Sequence, residues 1–341
     1  MRTEISTLGE FGLIHRIKSQ VTHQNTSTKT GIGDDAAVIC YETNQQTLVS
    51  TDMLVENIHF DLTYMPLKHV GYKAVAVNVS DIAAMNGIPQ QITVSVAISN
   101  RFSVEAIDEL YMGIRLACQN YKVDLVGGDT TSSSAGLVIC ITVIGFAKTE
   151  QIVYRNTAKD KDILCVTGDL GAAYIGLQLL EREKQEFLAN PSMQPQLEKY
   201  PNLIQKLLKP EARMDIVYEL ADLGVVPTSM IDISDGLASE ILHICQQSKV
   251  GATIFENKLP IDKQVYDVAI NEFGIDPTVC ALNGGEDYEL LFTIQQSDFE
   301  KIKNHEDISF IGYMNAEKDG INLVTRANSV VPIAAQGWKH F

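Results

Sequence analysis

The run from Lys68 to Asn86 reads as an α-helix, and from Ala74 to Met85 it is apolar on nearly every face. A helix of that kind is buried in the interior of a fold rather than laid on its surface. Yet it carries Asp81, and an isolated carboxylate there costs several kcal/mol or gives up its charge. A bound cation removes that cost. Asn78 lies one turn back on the same face, placed to offer a neutral oxygen or to orient Asp81. The competing readings are a helix N-cap and a salt bridge to lysine or arginine. Gly87 and Pro89 stop the helix.

Around it, strand and helix patterns alternate, which predicts a mixed α/β (α+β) protein. Thr47 to Ser50, Gln91 to Ile98, Val123 to Val126 and Leu137 to Phe146 read as strands, the last two flanking a Gly-Gly-Asp-Thr-Thr-Ser-Ser-Ser loop. Phe11, Ile14 and Ile17 recur at helical spacing, and Ser103 is placed to cap a helix reaching Tyr121. A second unit opens near residue 150, with strands at Ile163 to Thr167, Met230 to Ile233 and Tyr288 to Ile294. Helices follow at Ala172 to Leu180 and after Gly236, and the polar residues 182 to 209 read as a helical or loop excursion on the surface. A chain of 341 residues suits two domains, here 1–149 and 150–341.

Composition narrows the function. The net charge of −16 comes from 27 basic and 43 acidic residues, and lacks the basic footprint of a nucleic-acid or anionic-membrane binder. Six cysteines without a C-x-x-C pair read as reduced, buried thiols of a cytoplasmic protein. The longest apolar stretch, Leu137 to Ala147, is too short to span a bilayer. An acidic chain can still bind phosphates if its carboxylates hold divalent cations that hold the phosphates in turn.

Six acidic motifs fit that demand: Gly33-Asp34-Asp35, Ser50-Thr51-Asp52, Asn78-Val79-Ser80-Asp81, Gly127-Gly128-Asp129-Thr130, Asp232-Ile233-Ser234-Asp235 and Gly285-Glu286-Asp287. Most stand where a strand or helix should end, where ligand sites are built. Taken singly, each is ordinary turn chemistry. Two carboxylates 4 Å apart repel by about 4 kcal/mol at an effective dielectric near 20, so a cluster must hold cations, shift its pKa values or separate. Oxygen donors alone suit magnesium, and the absence of cysteine and histidine from these motifs argues against zinc. No Walker run G-x-x-x-x-G-K-[ST] is present. Gly168-Asp169-Leu170-Gly171 opens a helix whose first amides suit an anion, or it is a tight turn. Arg155 stands alone before the second unit, where a surface arginine is the default reading.

Together these residues resemble the thiamine-monophosphate kinase family of the aminoimidazole-ribonucleotide-synthetase-like superfamily. The match runs in order through Gly31 to Ala37, Ser50-Thr51-Asp52, Asn57 to Phe60, Ala76 to Met85, Gly127 to Thr130, Asp232 to Gly236, Gly284 to Leu290 and the closing Gly337-Trp338-Lys339-His340-Phe341. The resemblance implies ATP-dependent phosphorylation of thiamine monophosphate to thiamine diphosphate, in a homodimer whose N-terminal domains pair through their sheets. It implies several magnesium ions on Asp35, Ser50, Thr51, Asp52, Asp81, Asp129, Asp232 and Asp235. ATP would contact Tyr111, Gly128, Asp129, Arg155 and Ser234, and the thiamine substrate His59, Glu286 and Trp338. Because the acceptor is already an anionic phosphate, no general base is expected. Two departures stand out: Lys159 to Asp162 replaces a Pro-Gly-Asp turn, and Lys209 and Ala212 stand where relatives often carry Arg and Pro.

Two other readings are open. One is a different ATP-using member of the superfamily, of the aminoimidazole ribonucleotide synthetase or selenophosphate synthetase type. The latter wants a reactive cysteine near the start, whereas the first here is Cys40, within an apparent strand. The other is a non-catalytic nucleotide-binding sensor, which would have no reason to keep His59, Glu286 and Trp338 together.

Overall fold

The computed structural model describes residues 28–30, 34–35, 37–40 and 44–337. The helical reading at Phe11, Ile14 and Ile17, and Trp338, lie outside the described residues. The buried helix is present as α1, Leu67–Ala84, with Val70 through Ser80 all buried. Its four valines at 70, 75, 77 and 79 are poor helix formers, and tertiary burial overrides that preference. Gly71 lets the second helix, α2 (Val104–Tyr121), approach closely: a Cβ there would sit 2.1 Å from Leu110 O, and one at Gly113 would sit 1.9 Å from Lys68 O. The Ser103 hydroxyl caps α2 by accepting from Ala106 N at 3.3 Å.

α1 packs on a six-stranded sheet. Its strands are β1 (Thr28–Thr30), β2 (Ala37–Ile39), β3 (Gln45–Val55), β4 (Ile88–Ile98), β5 (Asp124–Ser132) and β6 (Leu137–Lys148), in the order β1-β2-β3-β6-β4-β5. β3 and β6 pair antiparallel over eleven residues, from Gln45↔Lys148 to Val55↔Val138. β4 and β5 are parallel, joined across α2. The Gly-Gly-Asp-Thr-Thr segment is not the loop the sequence predicts. It continues β5, because glycine there permits close pairing: a Cβ on Gly128 would lie 1.8 Å from Val94 O.

A seven-stranded sheet follows, ordered β13-β12-β9-β11-β7-β10-β8. Its strands are β7 (Ile163–Thr167), β8 (Ser229–Asp232), β9 (Val250–Phe255), β10 (Leu290–Ile294), β11 (Ile308–Ala316), β12 (Ile321–Val324) and β13 (Val330–Pro332). The helix after Gly171 runs well past Leu180, as α3 (Ala172–Ala189). The later part of the predicted excursion is helical, as α4 (Pro201–Leu208), and amphipathic: it turns Leu203, Ile204 and Leu207 into the core while Asn202 and Gln205 stay exposed. Its Pro201 occupies the first turn, where a missing N–H costs nothing. One apolar cluster runs from Val38 and α1 through Met230 and Phe292 to Ile308, so the two sheets share a core with α1 between them. Among the described residues no helix is long and apolar enough to cross a membrane, and Cys118, Cys140, Cys165, Cys245 and Cys280 are free thiols.

Candidate active site

Four of the predicted acids meet where α1 crosses the first sheet and touches the second. Strand alternation puts Ser50 and Asp52 on the face of β3 toward α1, with buried Leu48 and Leu54. The Ser50 hydroxyl donates to Asp81 Oδ2 and lies 2.9 Å from Asp35 O. Asp52 N donates to Asn78 Oδ1 at 3.1 Å, while the Asn78 amide reaches back to Ala74 O at 2.9 Å. Asn78 therefore fixes β3 against α1. Asp232 ends β8, and its Oδ2 accepts from the buried Ser80 hydroxyl at 2.6 Å. Carboxylate oxygens of Asp35, Asp81 and Asp232 lie within 4.8 Å of one another.

Such crowding leaves a signature. Burial, then the Asp35 charge, pushes Asp52 up to about 6. Burial, then Asp35, pushes Asp232 up to about 8. Burial, then Asp52 and Asp232, holds Asp81 well above the usual carboxylate range. Arg155 spreads its guanidinium over Asp34 (3.0 Å) and Asp35; no salt bridge among the described residues reaches Asp52, Asp81 or Asp232. Asp35 Oδ2 is buried without a hydrogen-bond partner. A set of hard oxygen donors with one orphaned lone pair and too much negative charge for its burial fits magnesium.

The cluster opens into a cavity of about 600 Å³. Asp52, Asp81, Asp232 and Asp235 form its acidic end, and Ser234, His59 and Glu286 its walls. Glu286 sits in a loop with left-handed residues at Gly285 (φ 68°), Glu286 (φ 64°) and Tyr288 (φ 50°). Non-glycine residues held this way cost about 1–3 kcal/mol each and persist only where surroundings impose them. The surroundings here are main-chain bonds from Glu286 N to Ser234 O (2.7 Å) and Tyr288 N to Ile233 O (2.9 Å). Behind the loop, buried Asp287 accepts from Gly171 N at 3.0 Å, so an internal carboxylate takes the first amide of the helix opening that the sequence offered to an anion. Buried Glu289 is held by Arg213 (2.6 Å), Lys206 (3.2 Å) and the Thr167 hydroxyl (2.6 Å).

The N-terminal-domain model described as AIR synthase related protein matches residues 33–147. The thiamine-monophosphate kinase of Bacillus subtilis is 36% identical over 98% of this chain and all of its own length. The chain belongs to the thiamine-monophosphate kinase family. A solved structure of AaThiL complexed with AMPPCP and TMP is 33% identical, with a TM-score of 0.84 and both chains fully covered. The thiamine-monophosphate kinase of Aquifex aeolicus superposes with a TM-score of 0.77 at 30% identity, over 97% of this chain and all of that one.

Of the residues that this family resemblance singles out, several stand apart from the cluster. The Thr51 hydroxyl points to the opposite face of β3 from Ser50 and Asp52, donating to Ile141 O (2.9 Å) beside Thr142. Alternation along a strand allows no other outcome. Gly128 and Asp129 lie on the exposed edge strand β5, three strands from β3, roughly 14 Å at the usual strand spacing. Tyr111 is half-buried against the core. Conversely, sequence reasoning overlooked Lys73, which lines the cavity with Val77 and Asp81. Its signal was spacing: 73, 77 and 81 fall on one helical face.

Proposed function

We propose that this chain transfers the γ-phosphoryl group of ATP to thiamine monophosphate, releasing ADP and thiamine diphosphate. Family membership supports this, as does the solved relative that carries AMPPCP and TMP. The observation that carries it is the convergence of Asp35, Asp81 and Asp232, with Asp52, Asp81 and Asp232 lining the acidic end of one cavity. Magnesium ions on these acids would offset the negative charge of the two phosphates.

An acceptor phosphate oxygen bonds to the γ-phosphorus as the bond to the β–γ bridging oxygen breaks. That oxygen is anionic at neutral pH, so no side chain has to remove a proton. The work left to the chain is positioning, which alone can supply several kcal/mol of the barrier. In this reading Asn78 and Ser50 hold the acids in register, Ser234 and Arg155 face the nucleotide, and His59 and Glu286 hold the acceptor, with Trp338 completing its contacts. Residues 1–149 form the ATP, magnesium and dimerisation unit, and 150–341 complete both substrate sites. We place the protein in the cytoplasm as a homodimer pairing through the first sheet; that sheet's uncovered apolar groups, Met53 at 55% exposed and Val126 at 59%, support the pairing.

The test is incubation with ATP, magnesium and thiamine monophosphate, scored by chromatography for thiamine diphosphate. Wild type should form it, and a folded Asp52→Ala variant should not. Equal activity in that variant would remove the acidic cluster from the mechanism.

A further inference from the structure

We infer that Lys73 is a positioning residue for the acceptor substrate, acting through Glu286. Its side chain is 2% exposed, yet it carries an ammonium group into the wall of the cavity. That ammonium donates to Glu286 Oε2 and reaches His59 O at 3.4 Å. It therefore ties together two segments far apart in sequence: the turn after β3, and the loop before β10. Each bears a residue read above as an acceptor contact, and the inference rests on that reading.

The energetics explain the arrangement. Burying a lysine side chain this deeply is costly unless a carboxylate stands beside it. Glu286 supplies that carboxylate while itself remaining 30% exposed to the cavity. One of its oxygens is engaged by Lys73 and the other is left for a donor on the substrate. Its backbone is already locked in a left-handed conformation by the bond to Ser234 O, so the side-chain torsions are the remaining freedom. Lys73 removes that freedom from the most deeply buried helix of the fold. Preorganisation of this kind appears as acceptor affinity rather than as nucleotide affinity.

The experiment compares Lys73→Met, Glu286→Gln and the double variant, measuring kcat and KM for both substrates alongside thermal melts. Each single change should raise the KM for thiamine monophosphate tenfold or more while the KM for ATP stays within twofold. The double variant should be no worse than Glu286→Gln alone, since Lys73 then has nothing to orient. If Lys73→Met strands the Glu286 carboxylate and does not fold, Lys73→Gln, an uncharged and shorter donor, takes its place: it should raise the acceptor KM severalfold with the ATP KM within twofold, and an unchanged acceptor KM would overturn the role of Lys73. A normal KM in Glu286→Gln would overturn the assignment of Glu286 to the acceptor, and this inference with it. A large effect in Glu286→Gln with a normal Lys73→Met, or additive losses in the double variant, would overturn the role of Lys73 alone.

Discussion

Replacing Asp81 with asparagine should stabilise the metal-free protein while disabling it. The carboxylate oxygens of Asp35, Asp81 and Asp232 lie within 4.8 Å of one another, so each unshielded pair costs about 3 kcal/mol at an effective dielectric near 20. Arg155 offsets part of the charge of Asp35, and the charges that press hardest on Asp81 are those of Asp52 and then Asp232. Asparagine keeps an acceptor for the Ser50 hydroxyl and removes that repulsion. The sign with pH follows from the raised values at Asp52, about 6, and Asp232, about 8. Folded protein binds more protons than unfolded chain between the ordinary carboxylate value of 3.8 and those values. The metal-free fold therefore loses stability as pH rises through that window. Asp81→Asn should flatten the loss: in chelator at pH 8.5 it should melt roughly 5 °C above wild type, and at pH 5 the two should converge. Magnesium at about a hundredfold over its dissociation constant should add about 2.7 kcal/mol to wild type and much less to the variant. Scanning calorimetry with and without chelator reads all of this. A variant less stable than wild type at every pH, and equally stabilised by magnesium, would refute the electrostatic reasoning.

Further outcomes follow from the geometry. Thr51→Val should keep turnover within about threefold, because its hydroxyl faces away from the acids, whereas Ser50→Ala should cost tenfold or more; steady-state assays of both decide it. Gly113→Ala, whose new Cβ would lie 1.9 Å from Lys68 O, should push α2 off α1 and cost about 1–3 kcal/mol, as overpacking does, read by denaturant melts. Ser80→Ala removes the bond from α1 to Asp232 and should cost about 1–3 kcal/mol in stability along with a weaker magnesium affinity, so that activity saturates at higher magnesium, read by melting and by metal titration of activity.

Much of this site was legible before any coordinates. An all-round apolar helix carrying Asp81 has to be interior, and the acid inside it needs a reason. Ser50 and Asp52 share a strand face by simple alternation, and the same alternation turns the Thr51 hydroxyl to the other face. Other features were hidden because they depend on pairing between distant segments. Nothing local shows that Gly127 to Ser132 extends a strand along β4, or that Asp34 and Asp35 share Arg155 across 120 residues. Polar composition concealed α4, where Leu203, Ile204 and Leu207 are the buried stripe. Lys73 was overlooked because a lysine near the start of a helix reads as solvated until its partner, Glu286, is known.

The most direct measurement is calorimetric titration of magnesium into chelator-treated protein holding a non-hydrolysable ATP analogue. Wild type should give a saturable binding heat, and Asp52→Asn, Asp81→Asn and Asp232→Asn, each folded, should lose most of it. Undiminished magnesium binding in all three would contradict the claim that these distant acids together hold the metal.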